Sequence, residues 1–510
     1  MKTMNIPFSN FKTFREGQED IITQVLSSDA KYNIISAPTG VGKTIIGMML
    51  SHHRQPSVYT VSTKMLQDQI LADFPEAVIL KGRSNYPCPR FEEFEVMADS
   101  CIKKGCEVQS ECPYELAKGA AMSAKYRVLN LSYFLTETNL SQGVFSGQDT
   151  VIVDEADHLE QCLVDFISLE LGKRDQLVLS GYGLLDPEYF TKPETWKPWA
   201  KRCISPLTKD VTRYKESLGR MSSPPEELIK DYRRVKRLLS KMEILSQYAD
   251  STWLRYESGA GSGEKIIYKP TWLTPALAQQ FLFRHASNWV FLSATFPEYS
   301  TYCRLLGIPQ TEASYIDLPS PFPVANRQVY YEPTANMSYK TQDAEISRLL
   351  SRVSELLLEN PSVKGVIHTT SYALTARLMG LNSPRLLTHT PQNKEQVIEA
   401  FRRSGKPLVL VSPSIERGVS FDDDLCRFTI IVKVPYQSTQ DRIVSARLYS
   451  GSFGQDWYQA DAAQRIVQSA GRGVRSKTDH SKTYILDSQF TRLLQKPVLF
   501  PKWFTEAIVW

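Results

Sequence analysis

Ala37-Pro-Thr39-Gly40-Val41-Gly42-Lys43-Thr44 decides how this chain is read. An apolar run, Tyr32-Asn-Ile-Ile-Ser-Ala37, precedes it, and a helix-like run, Thr44-Ile-Ile-Gly-Met-Met-Leu50, follows. A strand, a glycine loop and a helix in that order form a phosphate cradle, because loop N–H groups and the helix N-terminus point at one anion. Thr39, Gly40, Val41 and Gly42 supply the loop backbone. Lys43 is expected to reach the β- and γ-phosphates and Thr44 to ligate Mg²⁺. Ala37 stands where the usual eight-residue pattern has Gly. A glycine turn that binds nothing is the plainer reading, but Gly-Lys-Thr at a strand-to-helix junction argues against it. The sequence therefore predicts a nucleotide site for ATP and Mg²⁺.

At 510 residues the chain exceeds one domain. Hydrophobic residues make up 42% and charged residues 23%, proportions ordinary for a globular protein. The net charge of +5 is too small to diagnose a nucleic-acid binder. No apolar run approaches the roughly 18 residues of a membrane span. Met1-Lys-Thr-Met-Asn-Ile-Pro-Phe-Ser lacks the apolar core of a signal peptide. A cytoplasmic setting, in a bacterial cell or phage-infected host, is expected, and there thiols stay reduced unless they hold a metal or do chemistry. Four of the eight cysteines fall in one window, Cys88-x12-Cys101-x4-Cys106-x5-Cys112, which points to a ligand set. Cys162, Cys203, Cys303 and Cys426 are scattered and read as packing residues.

Upstream of the loop, Arg15 and Gln18 lead into an amphipathic helix and stand about 25 residues before Lys43, where they could meet an adenine edge. Downstream, Ser57–Ser62, Ala77–Leu80, Tyr126–Leu131 and Thr150–Asp154 recur at intervals that fit βα units. Such alternation predicts a parallel sheet whose strand C-termini carry the ligand. The fourth run ends in Asp154-Glu155-Ala156-Asp157-His158. Asp154 is expected to hold Mg²⁺ and Glu155 to activate the attacking water.

Ala-Pro-Thr-Gly-Val-Gly-Lys-Thr, Asp-Glu-Ala-Asp, Ser293-Ala294-Thr295 and Gln468-Ser-Ala-Gly-Arg472-Gly-Val-Arg475 appear in the order found in superfamily 2 helicases. With Leu80-Lys-Gly-Arg-Ser-Asn-Tyr-Pro-Cys88 and the cysteine window, the chain resembles the iron–sulfur helicases related to DinG and XPD, closer to DinG. The resemblance covers about residues 14 to 490. One departure is Asp157, where those relatives usually carry His; His158 follows one place later, which leaves the coupling role of the fourth position open.

Four thiolates suit zinc or an iron–sulfur cluster on chemistry alone. The x4 and x5 spacings resemble the DinG cluster, which implies [4Fe–4S] on Cys88, Cys101, Cys106 and Cys112. Lys201–Lys241 carries twelve Lys or Arg against five Asp or Glu. Leu228, Tyr232, Val235, Leu239 and Met242 form a helical seam beside that charge. The segment reads either as a solvated bundle face or as an arch enclosing single-stranded DNA. The family implies that Ser293-Ala-Thr links hydrolysis to strand movement.

Leu318–Arg327 is proline-rich and predicts a linker to a second α/β domain with runs at Val363–His368, Pro407–Ser412, Phe428–Val434 and Thr483–Leu486. Arg472 and Arg475 share one helix face and are expected to reach the γ-phosphate across an interdomain cleft. Gly418 and Gln468 are expected to join the nucleotide site. The implied fold class is α/β, with two RecA-like parallel-sheet domains, a cysteine-rich iron–sulfur insertion and a helical arch. Residues 1–84, 125–162 and 286–317 would form the first domain, 85–124 the cluster insertion, 163–285 the arch and 318–510 the second domain.

The implied function is an ATP-dependent 5′→3′ DNA helicase that translocates on single-stranded DNA and unwinds duplexes or R-loop and D-loop structures. Polarity comes from the resemblance alone. Thr63, Lys64, Asn130, Thr369 and Ser412 would contact the strand's phosphates. DNA junctions are expected substrates, with RNA–DNA hybrids as a second class, and a monomer is expected. No nuclease domain is expected, since the helicase pattern begins within the first 20 residues. Two rivals are a helicase acting mainly on RNA or hybrids and a redox- or nucleotide-gated DNA-binding protein with weak ATPase activity.

Overall fold

Strands and helices alternate from Gln18 onward, because short β-rich runs are separated by amphipathic segments of about ten residues. The computed structural model describes residues 4–38, 40–89, 109–184, 192–221, 224–259, 264–338, 341–413, 423–471, 473–474 and 478–510. The first unit runs α1 (Gln18–Leu26), β1 (Tyr32–Ser36), α2 (Lys43–His53), β2 (Ser57–Val61), α3 (Lys64–Asp73), β3 (Val78–Leu80), α4 (Pro113–Ser123), β4 (Arg127–Asn130), α5 (Leu131–Leu140), β5 (Gln148–Asp154) and α6 (Leu159–Ile167). An excursion then comprises β6 (Leu169–Gly172), α7 (Lys173–Gly181), α8 (Pro193–Arg220), α9 (Glu226–Tyr248), β7 (Trp253–Ser258) and β8 (Lys265–Pro270). The chain returns through α10 (Pro275–Phe281), β9 (Ala286–Ser293), α11 (Tyr299–Leu306) and β10 (Ala313–Asp317).

The second unit follows as β11 (Val329–Ala335), α12 (Asp343–Glu359), β12 (Gly365–His368), α13 (Tyr372–Met379), β13 (Leu386–Thr388), α14 (Lys394–Arg403), β14 (Val409–Ser412), β15 (Phe428–Ile431), α15 (Arg442–Leu448), α16 (Ser452–Ala470), β16 (Lys482–Asp487) and β17 (Ile508–Val509).

Two seven-stranded sheets result, in the orders β10-β1-β9-β5-β2-β4-β3 and β13-β14-β12-β15-β16-β11-β17. Every pairing within them is parallel. Central strands such as β1 and β2 are buried along their whole length, as a sheet covered on both faces requires. One face of the first sheet packs on α1, α2 and α3 through Ile22, Ile46, Met49 and Phe74. The other packs on α5, α6 and α11 through Phe134, Leu163 and Tyr302. Among the described residues, no helix is long and apolar enough to cross a membrane.

The excursion is a helical hairpin, α8 against α9, mounted on a three-stranded antiparallel sheet β6-β8-β7. Its apolar seam differs from the one read in the sequence at two places. Ile229 and Leu238 are buried where Leu228 and Leu239 were expected. The stripe Ile229, Tyr232, Val235, Leu238, Met242 and Leu245 steps by three or four, and the neighbouring leucines lie at its margin. Part of the positive charge here is neutralised within the excursion, by Arg213–Asp210 at 3.0 Å, Lys230–Glu226 at 2.7 Å, Arg234–Asp231 at 2.5 Å and Arg237–Asp175 at 2.6 Å.

Candidate nucleotide site between two parallel sheets

The phosphate loop leaves β1 and enters α2 through Gly42, whose φ of 85° and ψ of 50° lie in the left-handed region. A Cβ there would also meet the Gln18 Nε2 at 2.5 Å, so only glycine fits. Gln18, buried on α1, donates to the Val41 carbonyl at 2.7 Å and accepts the Arg15 N–H at 2.8 Å. Arg15 donates to the Gly40 carbonyl. Both side chains thus hold the loop in shape, a job the sequence had not suggested for them. The Lys43 ammonium sits 3.2 Å from the Ala37 carbonyl at the mouth of the loop.

Asp154 ends β5, two strands from β1, and is buried. Its Oδ1 accepts the Glu155 N–H at 2.9 Å and its Oδ2 accepts the Tyr59 hydroxyl at 2.8 Å. Burial pushes the Asp154 carboxyl up from the ordinary aspartate range, while the charge of Lys43 draws it back in part. One buried phenol thus holds the carboxylate expected to bind Mg²⁺. Gly47 makes room for it, since a Cβ would meet the Tyr59 ring at 2.6 Å. Glu155 takes φ 51°, uncommon for a residue with a side chain, which turns its exposed carboxylate toward β2. There it accepts the Ser62 hydroxyl. Tyr59 and Ser62 went unnoticed in the sequence, where β2 already carries hydroxyls at Ser57 and Thr60 and nothing marks these two out.

Asp157 answers the question left by the missing histidine. Its Oδ1 accepts the Ser293 hydroxyl at 2.8 Å, and its Oδ2 accepts the Gln464 and Gln468 amides of α16, each at 2.9 Å. Gln468 also donates to the Thr295 hydroxyl at 3.0 Å. His158 places its Nε2 3.2 Å from the same carboxylate. The aspartate therefore joins the tip of β5, the tip of β9 and the second unit directly. Gln464 is a further partner that the sequence reading did not include.

Thr63 caps α3, accepting the Leu66 N–H at 3.3 Å, and Lys64 beside it is exposed. Asn130 caps α5 through Ser132 and donates to the Ser62 carbonyl at 3.0 Å. Thr369 and Ser412 are fully buried: the first hydroxyl meets Thr375 at 2.6 Å and the second meets His389 at 2.6 Å. Their side chains face inward, and the exposed groups at that tip are Ser371 and Tyr372. Cys88 is buried and Cys112, which precedes α4, is partly so; neither is in a disulfide. Thr39, Cys101, Cys106, Gly418, Arg472 and Arg475 lie outside the described residues.

A family profile described as the helicase C-terminal domain matches residues 355–507, the stretch that holds the second sheet and α16. The chain is 22% identical to the ATP-dependent DNA helicase YoaA of Escherichia coli, over 95% of its own length and 92% of that protein. Along most of its length the chain is similar to helicases of the Rad3/XPD/DinG type. Identity to the ATP-dependent DNA helicase DinG of Photobacterium profundum is also 22%, over 77% of this chain and 70% of that one. A solved structure titled XPD_Helicase superposes with a TM-score of 0.65 at 16% identity, covering 98% of this chain and all of that one, which shows the shared fold.

Proposed function

We propose that this chain is an ATP-driven DNA helicase that moves 5′→3′ on single-stranded DNA and separates duplexes, R-loops and D-loops. The observation that carries the reading is the Asp157 network, because it links the carboxylates of the first unit to α16 of the second. The curated relatives named ATP-dependent DNA helicases span most of the chain and support the same activity.

In this reading the loop N–H groups of residues 40–43 cradle the phosphates and Lys43 neutralises the β- and γ-oxygens. Gln18 and Arg15 exchange their loop carbonyls for the adenine edge. Glu155 orients and activates water, held until then by Ser62. Arg472 and Arg475 stabilise charge on the leaving phosphoryl group, and Gly418 joins the nucleotide site. Gln468 passes the change in phosphate charge between units through Asp157 and Thr295.

Thr44, in the first turn of α2, and the buried carboxylate of Asp154 are the oxygen donors that fit Mg²⁺, whose role would be to neutralise phosphate charge. Cys88 and Cys112, both free, bracket in sequence the segment that holds Cys101 and Cys106, and four cysteine ligands would fit [4Fe–4S], which would organise that insertion. Single-stranded DNA would run past Thr63, Lys64 and Asn130 and then past the second unit's tips. There backbone groups of Thr369 and Ser412, whose hydroxyls are buried, would make the contact.

Strand displacement on duplexes with a single 5′ or 3′ tail tests this directly. Unwinding that needs ATP and a 5′ DNA tail is expected. Unwinding from a 3′ tail would overturn the polarity, and a preference for RNA strands would overturn the substrate.

A further inference from the structure

The second unit grips the first at another point, through α15 and α16. Arg447, on α15, is buried, and its guanidinium donates to both oxygens of Glu160, from Nη2 at 2.6 Å and Nη1 at 3.2 Å. Its Nε donates to the Thr271 carbonyl at 2.6 Å. Trp272 and Trp457 lie against the guanidinium at 4.7 and 5.1 Å, and meet each other edge to face at 5.5 Å. Trp272 also donates to the Ser450 hydroxyl at 3.2 Å.

Each partner belongs to a different working part. Glu160 follows Asp157 by three residues, one helical turn along the segment that leaves β5. Thr271 directly follows β8, where the helical excursion returns to the first unit. Trp457 lies on α16, seven residues before Gln464, so two helical turns put both on one face of that helix. One planar guanidinium thus joins the carboxylate run, the root of the excursion and the helix that reaches Asp157. A lysine could satisfy the charge but neither the two-pronged contact nor the stacking between indoles.

Resting on the helicase reading, we propose that Arg447 is a positioning residue for ATP hydrolysis: it sets α16 so that Gln464 and Gln468 meet Asp157, and ties that alignment to the root of the excursion. Arg447 touches neither nucleotide nor DNA in this scheme. Its effect reaches turnover through the orientation of α16.

The test compares wild type, Arg447→Lys, Glu160→Gln, Gln468→Ala and the Arg447→Lys/Gln468→Ala pair. Each is measured for thermal melting, ATP turnover with oligo(dT), KM for ATP and oligo(dT) affinity. Both single changes at the ion pair should lower kcat about tenfold while KM and DNA affinity stay within about twofold. The pair should lose no more than Gln468→Ala alone, because both act through one contact. An Arg447→Lys protein that melts lower but turns over ATP at the wild-type rate overturns the proposal, as does a pair whose losses multiply. A wild-type chain whose turnover oligo(dT) does not raise overturns the helicase reading and this proposal together; normal wild-type stimulation with unaffected variants overturns this proposal alone.

Discussion

Replacing Tyr59 by Phe removes one oxygen and almost nothing else. The ring is fully buried against Gly47 and keeps its shape, so no cavity opens. What disappears is the 2.8 Å hydrogen bond to Asp154 Oδ2. A hydrogen bond to a charged group contributes about 1.5–3 kcal/mol, and here the acceptor is already raised by burial, so the lost donor has no water to replace it. If that donor holds Asp154 ionised and aimed in the transition state, turnover should fall about 10- to 150-fold. Steady-state ATP hydrolysis with saturating oligo(dT), repeated over a range of Mg²⁺ concentrations, reads the loss. Melting curves show whether the fold has suffered. Wild-type turnover from a well-folded Tyr59→Phe protein would refute the reasoning, since Asp154 would then work without its buried partner.

Lys43→Ala should abolish ATP turnover, and Glu155→Gln should keep ATP binding while blocking hydrolysis; near-normal turnover in the Glu155 variant would remove its assignment as the catalytic base. His285, buried between Ser146 at 2.8 Å and Asn139 at 3.2 Å, has its pKa drawn down by burial from 6.5 to about 4. Since the folded state resists a proton that the unfolded chain accepts, this contribution is full above pH 6.5 and is lost as pH falls towards 4, by about 3 kcal/mol in total. The melting advantage of wild type over His285→Gln should shrink across that window, and a constant difference would count against it. Protein purified without oxygen should be brown with about four irons per chain, and Cys101→Ser should be colourless, with unwinding lost and ATPase activity kept in part. A colourless, zinc-containing wild type would replace the cluster with zinc.

The phosphate loop and the tip of β5 were legible in the sequence because their chemistry is local. Gly42 must take a positive φ and Lys43 must open a helix, so a few adjacent residues carry the whole signal. Strand alternation was equally legible, since parallel strands covered on both faces read as short apolar runs. The seam of α9 was read one position off at Leu228 and Leu239, because apolar residues sit on both sides of the stripe and only packing against α8 selects between them. What tertiary structure alone decided is which distant groups meet. Tyr59 and Asp154 are 95 residues apart, and Glu160 and Arg447 are 287 apart; no spacing rule announces either pair. Asp157 read as a departure from its relatives until the fold placed Ser293, Gln464 and Gln468 around its carboxylate. Residue type set the charge and the hydrogen-bonding capacity of each group, and sheet order with domain packing set the partner.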